Sequence, residues 1–134
     1  MKDIFKHITA NGKDYPFVFN INVIQAITDK YGRKNGLEKW AESLMPKDKS
    51  VPDMEALKFF CREAINEGID MENDPEDPHY IPKETPRPFI TEKQAGRIIS
   101  AAADFNKFAM ETVMESNASG KEKNLITGQS QTEK

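Results

Sequence analysis

Hydrophobic residues recur along this chain with two different spacings, and each spacing predicts its own kind of element. Near the N-terminus apolar and polar residues alternate, which is typical of a half-buried β-strand. From about residue 21 onward apolar residues recur every three or four positions, which is typical of helices that bury one face. The pattern predicts a mainly α protein of the α+β class, in which an N-terminal β-hairpin packs on a small bundle of about four helices.

The predicted hairpin spans residues 4–20. Asn11-Gly12 lies between its two strands and supplies the positive backbone φ that a tight turn needs. A two-stranded hairpin is marginally stable alone, so its aromatic face is expected to pack on helices. Pro16 lacks an amide donor, which leaves at least one strand edge free to recruit a strand from another chain.

Four helical segments follow, and turn or capping residues mark their ends. They are predicted at about 21–31, 37–44, 53–67 and 91–116. Asn20 or Asn22 is expected to cap the first, Gly32 to end it, and Gly68 to end the third. Trp40, on the apolar stripe of the second helix, is interpreted as an anchor in the core.

The last helical segment, 91–116, is apolar around most of its circumference. Thr91 and Gln94 have the spacing of a capping box at its start. So much apolar surface indicates burial on more than one side. Either the rest of the domain covers it, or a partner chain covers part of it. Four side chains on the third and last helices are the candidate partner-binding residues: Phe59, Phe108, Met110 and Met114.

Two segments have a composition that disfavours regular structure. Residues 69–90 are acidic and rich in proline, which predicts a long extended loop. Residues 117–134 are rich in Ser, Gly, Gln and Lys, which predicts a disordered tail. Residues 1–116 are therefore expected to form a single globular domain.

Charge and cysteine content narrow the possible functions. The net charge of −3 disfavours binding to nucleic acid or to an anionic membrane, since both partners select a basic surface. The single cysteine, Cys61, cannot form an internal disulfide, which favours a reducing compartment. The N-terminal residues lack a long apolar core, so we expect no signal peptide, and no apolar run is long enough to span a bilayer. The expected location is the cytoplasm.

No arrangement of residues predicts catalysis or a bound metal or cofactor. Asp70, Glu72 and Asp74 superficially resemble a calcium loop, but Pro75 replaces the required glycine. The two histidines lack metal-ligand spacing, and Cys61 lies on a core stripe, where a thiol is usually inert. We expect no enzyme, no metal and no cofactor.

The order of elements resembles that of the tail assembly chaperones of long-tailed phages (siphophages) of Gram-positive bacteria. The resemblance covers about residues 1–116. It rests on the N-terminal hairpin with the sequence Asn11-Gly12-Lys13-Asp14-Tyr15-Pro16-Phe17-Val18-Phe19, the helix after it and the small helical domain. It includes no catalytic signature.

The resemblance implies a non-enzymatic chaperone that coats the tape measure protein and recruits tail tube subunits. Such a protein acts in the host bacterial cytoplasm and is absent from the mature virion. Members of the family often have a longer form made by ribosomal frameshifting. Residues 122–124 can be encoded as GAA AAA AAC, which contains a slippery string.

Two other classes of function remain open on the residues alone. One is a helical protein-interaction or regulatory module of a phage or bacterium, and the other is a structural tail subunit. The position of the gene between tail tube and tape measure genes would favour the chaperone. A homo-oligomer is compatible with all three classes.

Overall fold

The structure is a computed structural model that describes residues 2–46, 48 and 51–117. The elements are β1 (Ile4–Ala10), β2 (Lys13–Phe19), α1 (Ile21–Tyr31), α2 (Gly36–Leu44), α3 (Met54–Asn73), α4 (Glu92–Ala101) and α5 (Phe105–Asn117). The predicted mainly α, α+β fold is confirmed. The predicted tail lies outside the described residues, apart from the last residue of α5, and so does the proposed frameshift site.

The two strands form the predicted antiparallel hairpin. Ile4 lies opposite Phe19. Asn11 and Gly12 have φ angles of 55° and 76°, the left-handed pair that a two-residue turn requires. Residues 16–19 of β2 are all buried although they alternate between the two faces of the sheet. Other elements therefore cover both faces of β2.

Helices α1 and α2 begin and end close to the predicted positions. The side chain of Asn20 accepts hydrogen bonds from two amides in the first turn of α1, and Gly32, with φ 114°, follows its last residue. Trp40 of α2 is fully buried, and its ring centroid lies 4.8 Å from that of Phe60 in α3. The prediction that Trp40 anchors the core is confirmed.

Helix α3 is longer than the sequence predicted. It continues through Gly68 to Asn73, so the prediction that Gly68 ends it is wrong. A Cβ atom at position 68 would lie 2.6 Å from the Cβ of Pro16 in β2. Glycine is present because the helix lies directly on the strand there, and it costs the helix about 1 kcal/mol relative to alanine.

The predicted long helix over 91–116 is two helices. The capping box of Thr91 and Gln94 is confirmed, and it opens α4. The chain then breaks at residues 102–104, where Asp104 has φ 47°. The Asp104 carboxylate accepts a hydrogen bond from the amide of Lys107 in the first turn of α5, at 3.2 Å. Aspartate tolerates this left-handed conformation, and its side chain can cap a new helix. The chain therefore ends α4 and starts α5 here instead of continuing as one helix.

The strap, residues 74–91, is held against α3 by two asparagine side chains. Asn73 donates to the carbonyl of Arg87 at 2.9 Å and accepts from its amide at 3.0 Å. Asn66, about two turns earlier, makes the same pair of bonds with Ile90, at 3.1 and 2.8 Å. The predicted extended loop 69–90 is therefore corrected at its start and is otherwise an extended segment. Its first residues belong to α3, and its last part is fixed in place.

Arg87 joins the strap to the hairpin as well as to α3. Its guanidinium donates to the carbonyl of Asp14 at 3.0 Å and lies 4.9 Å from the ring centroid of Tyr15. It also lies 3.9 Å from the buried carboxylate of Glu72. The positive charge of Arg87 partly offsets the free-energy cost of burying the Glu72 carboxylate.

The core lies between the hairpin and the helices and is rich in aromatic rings. Phe17 packs edge-on against Phe60, Phe105 and Phe108, with ring centroids 5.0 to 5.8 Å apart. These distances are typical of stabilising aromatic pairs. Within the part of the chain that the structure describes, no helix combines the length and apolar character that crossing a bilayer requires.

Candidate partner-binding surface

A groove lined by three methionines lies where the end of α2 meets α5. Its volume is about 400 Å³. Met45 follows the last residue of α2, and Met110 and Met114 lie one helical turn apart on α5, so they share a face of that helix. The lining residues are Met45, Asp104, Asn106, Lys107, Met110, Glu111 and Met114. The break at residue 104 sets the start of α5 and so places this face beside α2.

The methionines of the groove differ in exposure. Met114 is 65% exposed and Met45 is 55% exposed, whereas Met110 is half-buried against the core. Methionine is unbranched and polarizable, so such a surface adapts to apolar partners of different shape. The structure thus brings the predicted residues Met110 and Met114 together.

Met45 is a lining residue that the sequence reasoning missed. It stands between the last apolar position of α2 and Pro46, outside the helical stripe. A large apolar side chain placed just beyond a helix end, where no repeat requires it, was the available signal. Its position beside α5 depends on tertiary packing, which helical spacing cannot show.

Polar groups at the groove define what it can bind. Asp104 and Glu111 carry negative charge and Lys107 carries positive charge, so the rim is slightly acidic. The Oδ1 atom of Asn106 is buried and accepts no hydrogen bond from the described residues.

Phe108 is partly buried and packs against the core, and its role in partner binding remains a prediction. Its ring packs edge-on against Phe17 at 5.0 Å, and the Lys6 ammonium lies 4.6 Å from its centroid. The backbone of α5 directs Phe108 toward the hairpin while Met110 and Met114 line the groove on another side. A charge at position 108 would therefore disturb folding before it tested binding.

Phe59 is also covered within the monomer. Its exposed fraction is 9%, and its ring lies edge-on to Tyr31 at 6.1 Å, with Lys30 and Arg62 at 5.2 and 5.6 Å. Phe59 is therefore largely covered in the monomer, and its role in partner binding remains a prediction. Although it points away from the main stripe of α3, helix α1 packs on that side. Burial also raises the pKa of the Tyr31 hydroxyl, and the charges of Asp53 and Glu55 add to this rise.

The remaining candidate chemical groups do not converge on one site. Burial raises the pKa of the Cys61 thiol to about 12, so its reactive thiolate is scarce at neutral pH. His79 stacks on Phe5 at 4.1 Å, and His7 lies 3.8 Å from the Glu72 carboxylate. Among the described residues, no three histidine, cysteine or acidic side chains are grouped so that they could hold a metal ion.

Comparison with known proteins identifies no relative of this chain. No protein-family model, no curated protein and no solved structure matches this chain. The methionine groove is therefore interpreted from its own geometry.

Proposed function

We propose that this protein is a non-enzymatic tail assembly chaperone of a long-tailed phage. In this proposal it binds the tape measure protein, recruits tail tube subunits and acts in the host cytoplasm without entering the virion. Support comes from the order of elements, a short hairpin followed by a small helical domain, which resembles that family.

The observation that carries the proposal is the methionine groove. An apolar helix of the tape measure protein would lay one face between α5 and the end of α2, covering Met45, Met110 and Met114. Each large apolar side chain buried in this way contributes roughly 1.5–3 kcal/mol. Methionines would let one surface accept successive, non-identical segments of a long helical partner.

Co-purification with fragments of the tape measure protein from the same genome tests the proposal. Met114→Asp and Met45→Asp are expected to weaken capture about tenfold or more, because each places a charge against an apolar partner. Both side chains are more than half exposed, so the fold should persist. Met54→Asp is the matched control. Met54 is 49% exposed but lies in the first turn of α3, where a negative charge is favourable.

Three outcomes would count against the proposal in different ways. Failure of the wild-type chain to capture any fragment would reject the tape measure protein as partner. Capture that is unaffected by substitutions at Met45 and Met114 would reject the groove as the site. Detection of the chain in purified virions by mass spectrometry would favour a structural tail subunit instead.

A further inference from the structure

Phe89 is an exposed aromatic residue on a fixed segment of backbone. Its side chain is 57% exposed. Its neighbours in the strap, Arg87 and Ile90, are each bonded through both backbone groups to asparagine side chains of α3. The ring is therefore held out toward solvent by an ordered segment. An exposed aromatic presented in this way is typical of binding surfaces.

Two grooves of opposite charge flank Phe89. The acidic groove has a volume of about 240 Å³, and its charged lining residues are Glu63, Glu67 and Asp70. The basic groove has a volume of about 320 Å³, and its charged lining residues are Lys13 and Arg87. Phe89 lines both grooves and forms the ridge between them.

Several of these charges are not neutralised within the monomer. The Glu67 carboxylate accepts bonds from the neutral amides of Asn20 and Asn22, at 2.8 and 2.9 Å. These bonds fix its position without cancelling its charge. Within the described chain, no oppositely charged group forms an ion pair with Glu67, Asp70 or Lys13 at 4.0 Å or less. Opposite charges thus remain unpaired on the two sides of one apolar ridge.

We propose that this chain forms a two-fold symmetric dimer through the Phe89 ridge. In a two-fold interface the same patch faces itself, so the acidic groove of each copy meets the basic groove of the other. The two Phe89 rings would lie near the axis, and Lys13 of each copy would approach Asp70 or Glu67 of its partner. A second copy fits because the chain itself displays both complementary charges beside the same ridge.

The expected dimer is weak and leaves the methionine groove free. Its patch comprises one exposed ring and two shallow grooves, which corresponds to the small, transient class of interfaces below about 1,200 Å². No lining residue of the methionine groove lines either flanking groove. Dimerisation and partner binding through the methionines are therefore separable, and the dimer does not depend on the proposed chaperone function.

Sedimentation velocity of the full chain over a range of concentrations tests the dimer. Phe89→Ser is expected to weaken self-association roughly tenfold or more, since central aromatic residues dominate such interfaces. Ile81→Ser is the matched control. Ile81 is 48% exposed on the same strap but lines neither groove. Circular dichroism would confirm that both variants keep the wild-type helical content.

Charge reversal gives a second, independent measurement. Lys13→Glu and Asp70→Lys should each weaken the dimer, because like charges then face each other across the axis. The double variant should recover much of the affinity, since it exchanges the two signs. A wild-type chain that stays monomeric at high concentration would overturn the proposal. So would a dimer that responds to Met114→Asp and not to Phe89→Ser, because it would use the methionine groove.

Discussion

The close approach of α3 to β2 makes a prediction about two glycines that sequence alone would treat alike. Gly68 lies in α3 and Gly96 lies in α4. A Cβ at position 68 would meet three atoms of Pro16, at 2.6, 2.9 and 3.2 Å, and one of them is a backbone carbon. A Cβ at position 96 would meet only the side chain of Lys58, at 3.2 Å at the nearest. An added methyl group at position 68 would therefore meet rigid structure, whereas one at position 96 would meet a flexible side chain that can move.

The expected magnitudes follow from two opposing effects. Alanine in place of glycine stabilises a helix interior by about 1 kcal/mol. Forcing an extra methyl group into a filled space costs about 1–3 kcal/mol. Gly96→Ala should therefore raise the free energy of unfolding by up to about 1 kcal/mol. Gly68→Ala should be less stable than Gly96→Ala by about 1–3 kcal/mol, because only Gly68→Ala must move a strand.

Urea denaturation followed by circular dichroism measures both variants under the same conditions. The difference between the two midpoints is the test, because it cancels the common gain in helix propensity. If the two variants are equally stable, or if Gly68→Ala is the more stable, α3 does not lie on Pro16 as described. The reason given for a glycine inside α3 would then be refuted.

Three further predictions concern the core, the thiol and the strap. Trp40→Ala should cost about 3–5 kcal/mol in unfolding free energy, and Trp40→Phe less, because its indole N–H has no partner among the described residues. Similar urea midpoints for these two variants would contradict this. Cys61 should resist a thiol reagent at about pH 8.5 until urea unfolds the chain, and rapid labelling of the native protein would disprove its burial. Asn66→Ala and Asn73→Ala should each speed amide hydrogen exchange at Ile90 and Arg87 respectively, and unchanged exchange would show that other contacts hold the strap.

Local signals in the sequence were sufficient for much of the fold. The Asn11-Gly12 turn, the Asn20 cap and the capping box of Thr91 each act through bonds within a few residues, so their patterns are visible in sequence. The core position of Trp40 followed from helical spacing alone. These features depend on short-range geometry, which a residue pattern records directly.

The features that the sequence did not reveal depend on contacts between distant segments of the chain. Gly68 has the form of a helix end until Pro16 is known to lie against it. The proline-rich strap has no repeating pattern, and its order comes from Asn66 and Asn73 on another element. Phe59 lies off the main stripe of its helix, yet α1 covers it. The methionine groove was only partly predictable from the sequence. Met110 and Met114 share one helix, so their spacing shows that they lie together, whereas Met45 follows another helix.

The two ends of the described chain meet at one corner of the molecule. The amide of Lys2 donates to the carbonyl of Ser116 at 3.1 Å, and the Lys6 ammonium bonds to Glu115 at 3.2 Å. During translation β1 leaves the ribosome before the other described elements, and α5 leaves after all of them. The hairpin therefore lacks its final cover until α5 has been made, and its native packing is completed only after that.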